Sequence, residues 1–144
     1  MSAIKEGETR RVGEGEGKRR KRVVKHTDLE VYERAFVTAM KVFRSSNAFP
    51  TEERYSLTDQ MRRSTRSVCG NISEAWRKRR YEAAFVSKLS DAEGEAAESQ
   101  VWLQFFVDCG YLDRTVAKSL YTEYDAITAM LVHMINHAND WTIR

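Results

Sequence analysis

The sequence predicts an all-α protein, an up-down-up-down four-helix bundle preceded by a flexible basic arm. Three observations lead there. A chain of 144 residues with one proline and seven glycines has too few breakers for a turn-rich sandwich or barrel. Apolar residues, 42% of the chain, recur every three or four positions in four long runs, enough for a core. No alternating strand pattern competes, and the runs are joined by short connections, as in an antiparallel bundle.

Residues 1–27 form the arm. They are rich in Gly, Glu and Arg and nearly free of large apolar groups, so burial does not offset their ordering entropy. The run Lys18, Arg19, Arg20, Lys21, Arg22 is either a nucleic-acid contact or a solvated tail. Residues 28–144 are the bundle. Thr27 with Glu30 reads as a capping box that opens the first helix. Leu29, Tyr32, Phe36, Met40 and Phe43 read as its buried face. That helix is expected to stop near Ser46, with Asn47 as a left-handed cap, and Phe49-Pro50 breaks the chain.

Thr51 caps a short turn or, alternatively, Ser56 caps the second helix itself, with Leu57, Met61, Val68, Ile72 and Trp76 inside and an end near Lys78. The third begins about Tyr81 and buries Phe85, Leu89, Ala92, Ala96, Leu103, Phe106 and Val107. Ala92, Gly94, Ala96 and Ala97 make its middle thin enough for a neighbour to approach closely, and Gly110 stops it. Asp113 caps the fourth, whose stripe is Val116, Leu120, Tyr124, Ile127, Leu131 and Met134. Residues 138–144 are expected to fray.

Charge is sorted along the chain. Residues 1–27 hold nine Lys/Arg against four Glu, and residues 54–80 hold eight against two acids. Residues 81–144 hold four Lys/Arg against ten acids. Such asymmetry bears on partners rather than on fold. On a helical wheel Arg62, Arg66, Arg77 and Arg80 lie opposite the apolar sector, with Arg63 beside them. Only Asp59 and Glu74 are available to neutralise them within the helix. Arginine's planar fork suits phosphate and carboxylate, so Arg62, Arg63, Arg66, Arg77, Lys78, Arg79 and Arg80 are candidate anion-binding residues, joined by Arg19, Arg20 and Arg22 of the arm. A solvated face is the alternative. A third sector carries Gln60, Ser64, Ser67, Asn71 and Glu74. The serines read as routine boundary positions, Asn71 as the donor or acceptor of a specific structural bond.

Catalysis is not indicated. His133 and His137 stand at i, i+4, but the glutamate of H-E-x-x-H is missing, and a surface pair fits better than a metal site. There is no E-x-x-H pair of the di-iron bundles, no nucleophile elbow and no phosphate-cradling glycine loop. No cofactor is expected. Cys69 and Cys109 form no C-x-x-C and read as free thiols. No run approaches the roughly 20 apolar residues that span a bilayer, and the N-terminus lacks a signal-like apolar stretch, so a cytoplasmic protein without membrane contact is expected.

The stretches "DLEVYERA", "FPTEERYSLTDQMRRSTRSV", "GNISEAW" and "CGYL" resemble the small bacterial four-helix-bundle proteins encoded within intervening sequences of 23S ribosomal RNA genes. The family that this chain resembles also includes the accessory variability proteins of diversity-generating retroelements. The resemblance spans about residues 28–140. It implies a ring-like homopentamer and a basic surface that binds RNA or DNA and a reverse transcriptase. Gln60, Arg62, Arg63, Asn71 and Glu74 match its motif, Arg62 and Arg63 on the basic surface, Asn71 and Glu74 in structural roles. Ala75 stands where the family usually has the glycine of N-I-x-E-G. The acids Asp91, Glu93, Glu95 and Glu98 would repel phosphate from the third helix. A protein-interaction scaffold, with the basic second helix docked on an acidic partner or on the next subunit, is the other reading.

Overall fold

A computed structural model describes residues 22–143. Four helices follow in order: α1 Glu30–Ser46, α2 Leu57–Arg77, α3 Glu82–Asp108 and α4 Arg114–Asn136. Short 3-10 turns at His26–Asp28, Thr51–Glu53 and Ala138–Asp140 precede α1, link α1 to α2 and follow α4. Each helix packs on its neighbours in sequence, and α1 closes against α4, leaving α1 and α3 on the diagonal. The core is continuous from Met61, Val68 and Ile72 through Phe85, Leu89, Leu103 and Phe106 to Tyr124, Ile127 and Leu131.

The helix ends show local chemistry at work. Asp113 caps α4 by accepting from the backbone N–H groups of Thr115 and Val116 at 3.0 and 3.2 Å. At the end of α3, Gly110 has φ +79°, and Tyr111 N donates back to Phe106 O at 2.8 Å while Gly110 N donates to Val107 O. This is a Schellman closure, and glycine is the residue that enters left-handed backbone without cost to a Cβ. Glu53 replaces Ser56 as the side-chain cap of α2. Its Oε1 accepts from Ser56 Oγ at 2.7 Å and from Leu57 N at 3.4 Å, and its Oε2 accepts from the Tyr111 hydroxyl at 2.8 Å. These bonds hold the Glu53 carboxyl below the usual carboxylate range and, together with burial, push the Tyr111 phenol up to about 12.

Expectations for α1 and α4 need correction. Helix α1 starts at Glu30 after Leu29, not at Thr27, because Asp28 instead accepts from Val24 N and Lys25 N and closes a separate turn. Asn47 lies in right-handed backbone (φ −65°, ψ −21°), so it is no left-handed cap. Of the expected face, Leu29 is buried just ahead of the helix, but α1 itself buries Val31, Ala35, Thr38, Ala39, Val42 and Ser46, about a quarter-turn away from Tyr32, Phe36, Met40 and Phe43. Small groups let α1 approach its neighbours closely, and the hydroxyls of Thr38 and Ser46 bond carbonyls of their own helix, Arg34 O and Phe43 O. The same substitution of small for large puts Ala117 inside and Val116 outside on α4.

Against expectation, residues 138–143 are packed on the bundle. Ala138 is buried, Trp141 meets Trp76 edge-on with ring centroids 6.3 Å apart, and Ile143 N donates to Arg79 O at 3.1 Å. One aromatic contact plus one backbone bond holds this segment across the end of α2.

Candidate nucleic-acid interface

Helix α2 carries the candidate residues on two flanks. On the flank toward α1, Arg62 lies over the Phe43 ring with its guanidinium carbon 4.9 Å from the centroid, and Arg66 over the same ring at 5.9 Å. Arg62 also donates from Nε to Ser46 Oγ at 2.8 Å and from a terminal nitrogen to Asn47 Oδ1 at 3.1 Å. It is half-buried, while Arg66 is exposed. Tyr32 and Phe36 stack farther along α1 at 6.2 Å, with Phe36 45% exposed. The result is a strip of aromatic rings and guanidinium groups along the α1–α2 seam. Cation–π contacts of this kind keep the charge of the guanidinium intact while fixing its position.

At the lower end of α2 the four consecutive cations divide. Arg77, Lys78 and Arg80 are exposed. Arg79 folds back over Trp76, 3.5 Å from the ring centroid, and donates from Nε to Trp76 O at 2.8 Å. Burial, reinforced by Arg77, lowers its pKa from the usual arginine value. Among the described residues no carboxylate lies within ion-pair distance of Arg62, Arg66, Arg77, Lys78, Arg79 or Arg80.

The flank toward α3 is different. Arg63 reaches Asp59 at 3.9 Å, and its charge also acts on Glu95 of α3. Glu95 itself is pushed above the usual carboxylate range, by burial first and by Glu98 next, with Arg63 opposing. Glu74 pairs with Lys88 of α3 at 2.8 Å, which also reaches Asp91 at 3.7 Å. Asn71 donates to Ser67 O at 3.0 Å and offers its carbonyl oxygen to Lys88 at 3.5 Å. Gln60 is half-buried on the same flank.

Two features escaped the sequence reading. Ser64 is fully buried, its hydroxyl 2.8 Å from that of Ser99 across the α2–α3 contact, so it is an interhelical bond and no routine boundary serine. Its signal was the run of small residues on α3 opposite it. Phe43, expected in the core, instead underlies two arginines. Arg22 is exposed, and Arg19 and Arg20 lie outside the described residues.

The other candidate chemistry is sparse. His133 and His137 stack at 4.2 Å, with His137 Nδ1 2.9 Å from His133 O, and both are exposed. No group of three or more potential metal ligands occurs among the described residues. Burial pushes the Cys69 thiol up to about 11, which leaves it a poor nucleophile. Among the described residues no helix is long and apolar enough to cross a membrane.

The family model described as 23S rRNA-intervening sequence protein matches residues 27–133, which include α1, α2, α3 and most of α4. The chain belongs to that family. A crystal structure from Bacteroides thetaiotaomicron, a protein of unknown function from the S23 ribosomal protein family, superposes with a TM-score of 0.67 at 24% identity. The match covers 74% of this chain and 95% of that one, which establishes a shared fold. Comparison with proteins of curated function gave no match. Membership of the 23S rRNA-intervening sequence family accounts for the ordered motifs from Asp28 to Leu112, and the matched span leaves residues 1–26 outside it.

Proposed function

We propose that this family member is a non-catalytic, self-associating bundle that binds RNA or DNA through the α1–α2 seam and the lower end of α2. The supporting observation is the set Arg62, Arg66, Arg77, Lys78 and Arg80, which has no carboxylate at ion-pair distance among the described residues, with Arg62 and Arg66 lying over the half-exposed Phe43 ring. Cations over ring faces match a strand that offers phosphates and stacking bases together. The acids of α3 meet the other flank of α2, where Glu95 feels Arg63 and Asp91 meets Lys88.

Self-association is favoured by apolar groups on diagonal helices. Phe36 on α1 is 45% exposed, and Val101 and Phe105, one turn apart on α3, are 43% and 51% exposed. Two unlike patches on opposite sides are what a head-to-tail ring needs, and a homopentamer is the ring size that the family resemblance suggests. A reverse transcriptase, as the resemblance implies, or an acidic protein is the corresponding protein partner on the same strip.

Fluorescence anisotropy with labelled RNA and DNA, single- and double-stranded, tests the reading. Affinity is expected to fall steeply with salt, with a log–log slope of roughly −0.7 to −0.9 per phosphate neutralised. Absence of any complex at low salt overturns it. Equal binding by a variant with Arg66, Arg77 and Arg80 each changed to Glu moves the interface elsewhere. The protein-scaffold reading then remains, checked by whether sedimentation of the assembly is sensitive to salt.

A further inference from the structure

A small cleft lies where α1 ends and α2 begins. Its walls include Ser46, Asn47, Thr51, Arg54, Thr58 and Arg62, and its volume is about 200 Å³. No carboxylate lines it. Of the nearest acids in sequence, Glu53 bonds Ser56, Leu57 N and Tyr111, Asp59 pairs with Arg63, and Glu52 is exposed; none of the three lines the cleft. Since water occupies about 30 Å³ per molecule in the liquid, the space holds a tetrahedral anion with part of its hydration.

Two independent features point to an anion. The first is charge and geometry. Arg62 is fixed by Ser46 and Asn47 and by the Phe43 ring, so its fork is preorganised, and Arg54 stands exposed on the opposite lip over Tyr55. The cleft also opens at the first turn of α2, ahead of Gln60 N, which bonds Ser56 O at 2.9 Å. Glu53 already takes the Leu57 N–H at this helix end, and the remaining first-turn N–H groups together with the helix dipole favour further negative charge there. The second is an unmet donor. Thr58 is 95% buried, and its Oγ1 is one of two buried side-chain polar atoms without a hydrogen-bond partner among the described residues. A buried hydroxyl left unpaired destabilises the fold, and an anion oxygen in the cleft supplies the acceptor it lacks.

We infer that this cleft binds a single phosphate group, held by Arg54, Arg62 and Thr58. The inference shares Arg62 with the nucleic-acid reading, but Arg66, Arg77 and Arg80 are not in the cleft, so the two fail separately: reversing those three charges tests the strand interface and leaves the cleft intact. A free phosphate ion and the phosphate of a strand are both possible sources of the group.

The test uses the full chain with three probes: inorganic phosphate, a 5′-phosphorylated single-stranded oligonucleotide and the same oligonucleotide with a 5′-hydroxyl. Thermal unfolding is followed with inorganic phosphate against chloride at equal ionic strength. Phosphate at roughly ten times its dissociation constant is expected to raise Tm by about 3–6 °C. Thr58→Val keeps the shape and removes the unpaired hydroxyl, so the unliganded variant unfolds at the wild-type temperature or above it, yet loses the phosphate-induced rise. Arg54→Ala, on the exposed lip, loses the rise as well. The Thr58 amide resonance then reports the source. Perturbation by inorganic phosphate alone marks a free ion, perturbation by the phosphorylated strand only marks a chain end, and perturbation by both strands marks an internal phosphodiester. An undiminished rise in both variants, or a Thr58 amide unmoved by all three probes, overturns the inference.

Discussion

The two flanks of α2 make opposite use of polar residues. Toward α3, nearly every polar group has a partner made by folding: Ser64 with Ser99, Glu74 and Asn71 with Lys88, Arg63 with Asp59. Toward α1, the cations rest on an aromatic ring and on hydroxyl and amide oxygens, with no carboxylate at hand. A carboxylate partner cancels charge at long range, whereas a ring or an amide only fixes where the charge stands. One flank is therefore built for cohesion and the other retains a field.

The contrast can be broken first by reversing charge. Changing Arg66, Arg77 and Arg80 to Glu is expected to weaken nucleic-acid affinity by about a hundredfold or more at moderate salt, while Tm stays close to wild type. Anisotropy and calorimetry on the same variant show whether the two properties separate. A large fall in Tm would mean that these cations serve folding as well.

The cohesive flank answers to bulk. Ser99→Leu forces a side chain into a fully buried contact and is expected to destabilise by about 1–3 kcal/mol in chemical denaturation. Ser64→Ala with Ser99→Ala removes both hydroxyls together and should cost less than the two single changes added, because no partner is stranded.

Arg79 sharpens the comparison at intermediate size. It lies among the cations of the basic end but is folded onto Trp76. Arg79→Ala is expected to cost about 0.5–1 kcal/mol and to alter tryptophan fluorescence, yet to reduce nucleic-acid affinity less than Arg77→Ala does.

The smallest effect is on pH. The hydrogen bond to Lys88 holds the Glu74 carboxyl below its ordinary 4.5, and the same bond raises Lys88. A depressed carboxylate stabilises the fold above its unfolded pKa, and that contribution fades as pH falls below 4.5 through the folded value. The raised lysine contributes below its ordinary 10.5 and loses this as pH climbs through its folded value. Lys88→Met should flatten Tm against pH on the acid side, an effect that is slight because both groups meet solvent.

Fold class, four helices and most ends were legible in the sequence because each signal was local. Asp113, Gly110 and the periodic leucines act within one or two turns of themselves. The face of α1 was not, because large apolar side chains dominate a periodicity reading while Ala35, Ala39 and Val42 do the packing. Close helix approach is a property of two helices together. The arginines were legible as an outward stripe, but not their division among Phe43, Trp76, Asp59 and solvent. That division depends on where α1 and α3 come to lie.

Tyr111 reaches Glu53 across 58 positions of chain, from the turn that Gly110 makes possible. The reversal between α3 and α4 thus sets the height of a hydroxyl that braces the link between α1 and α2. Neither half of the polypeptide carries that brace alone. A fragment ending before α3 would retain Arg54, Thr58 and Arg62 in its sequence and still lack the strut beside them.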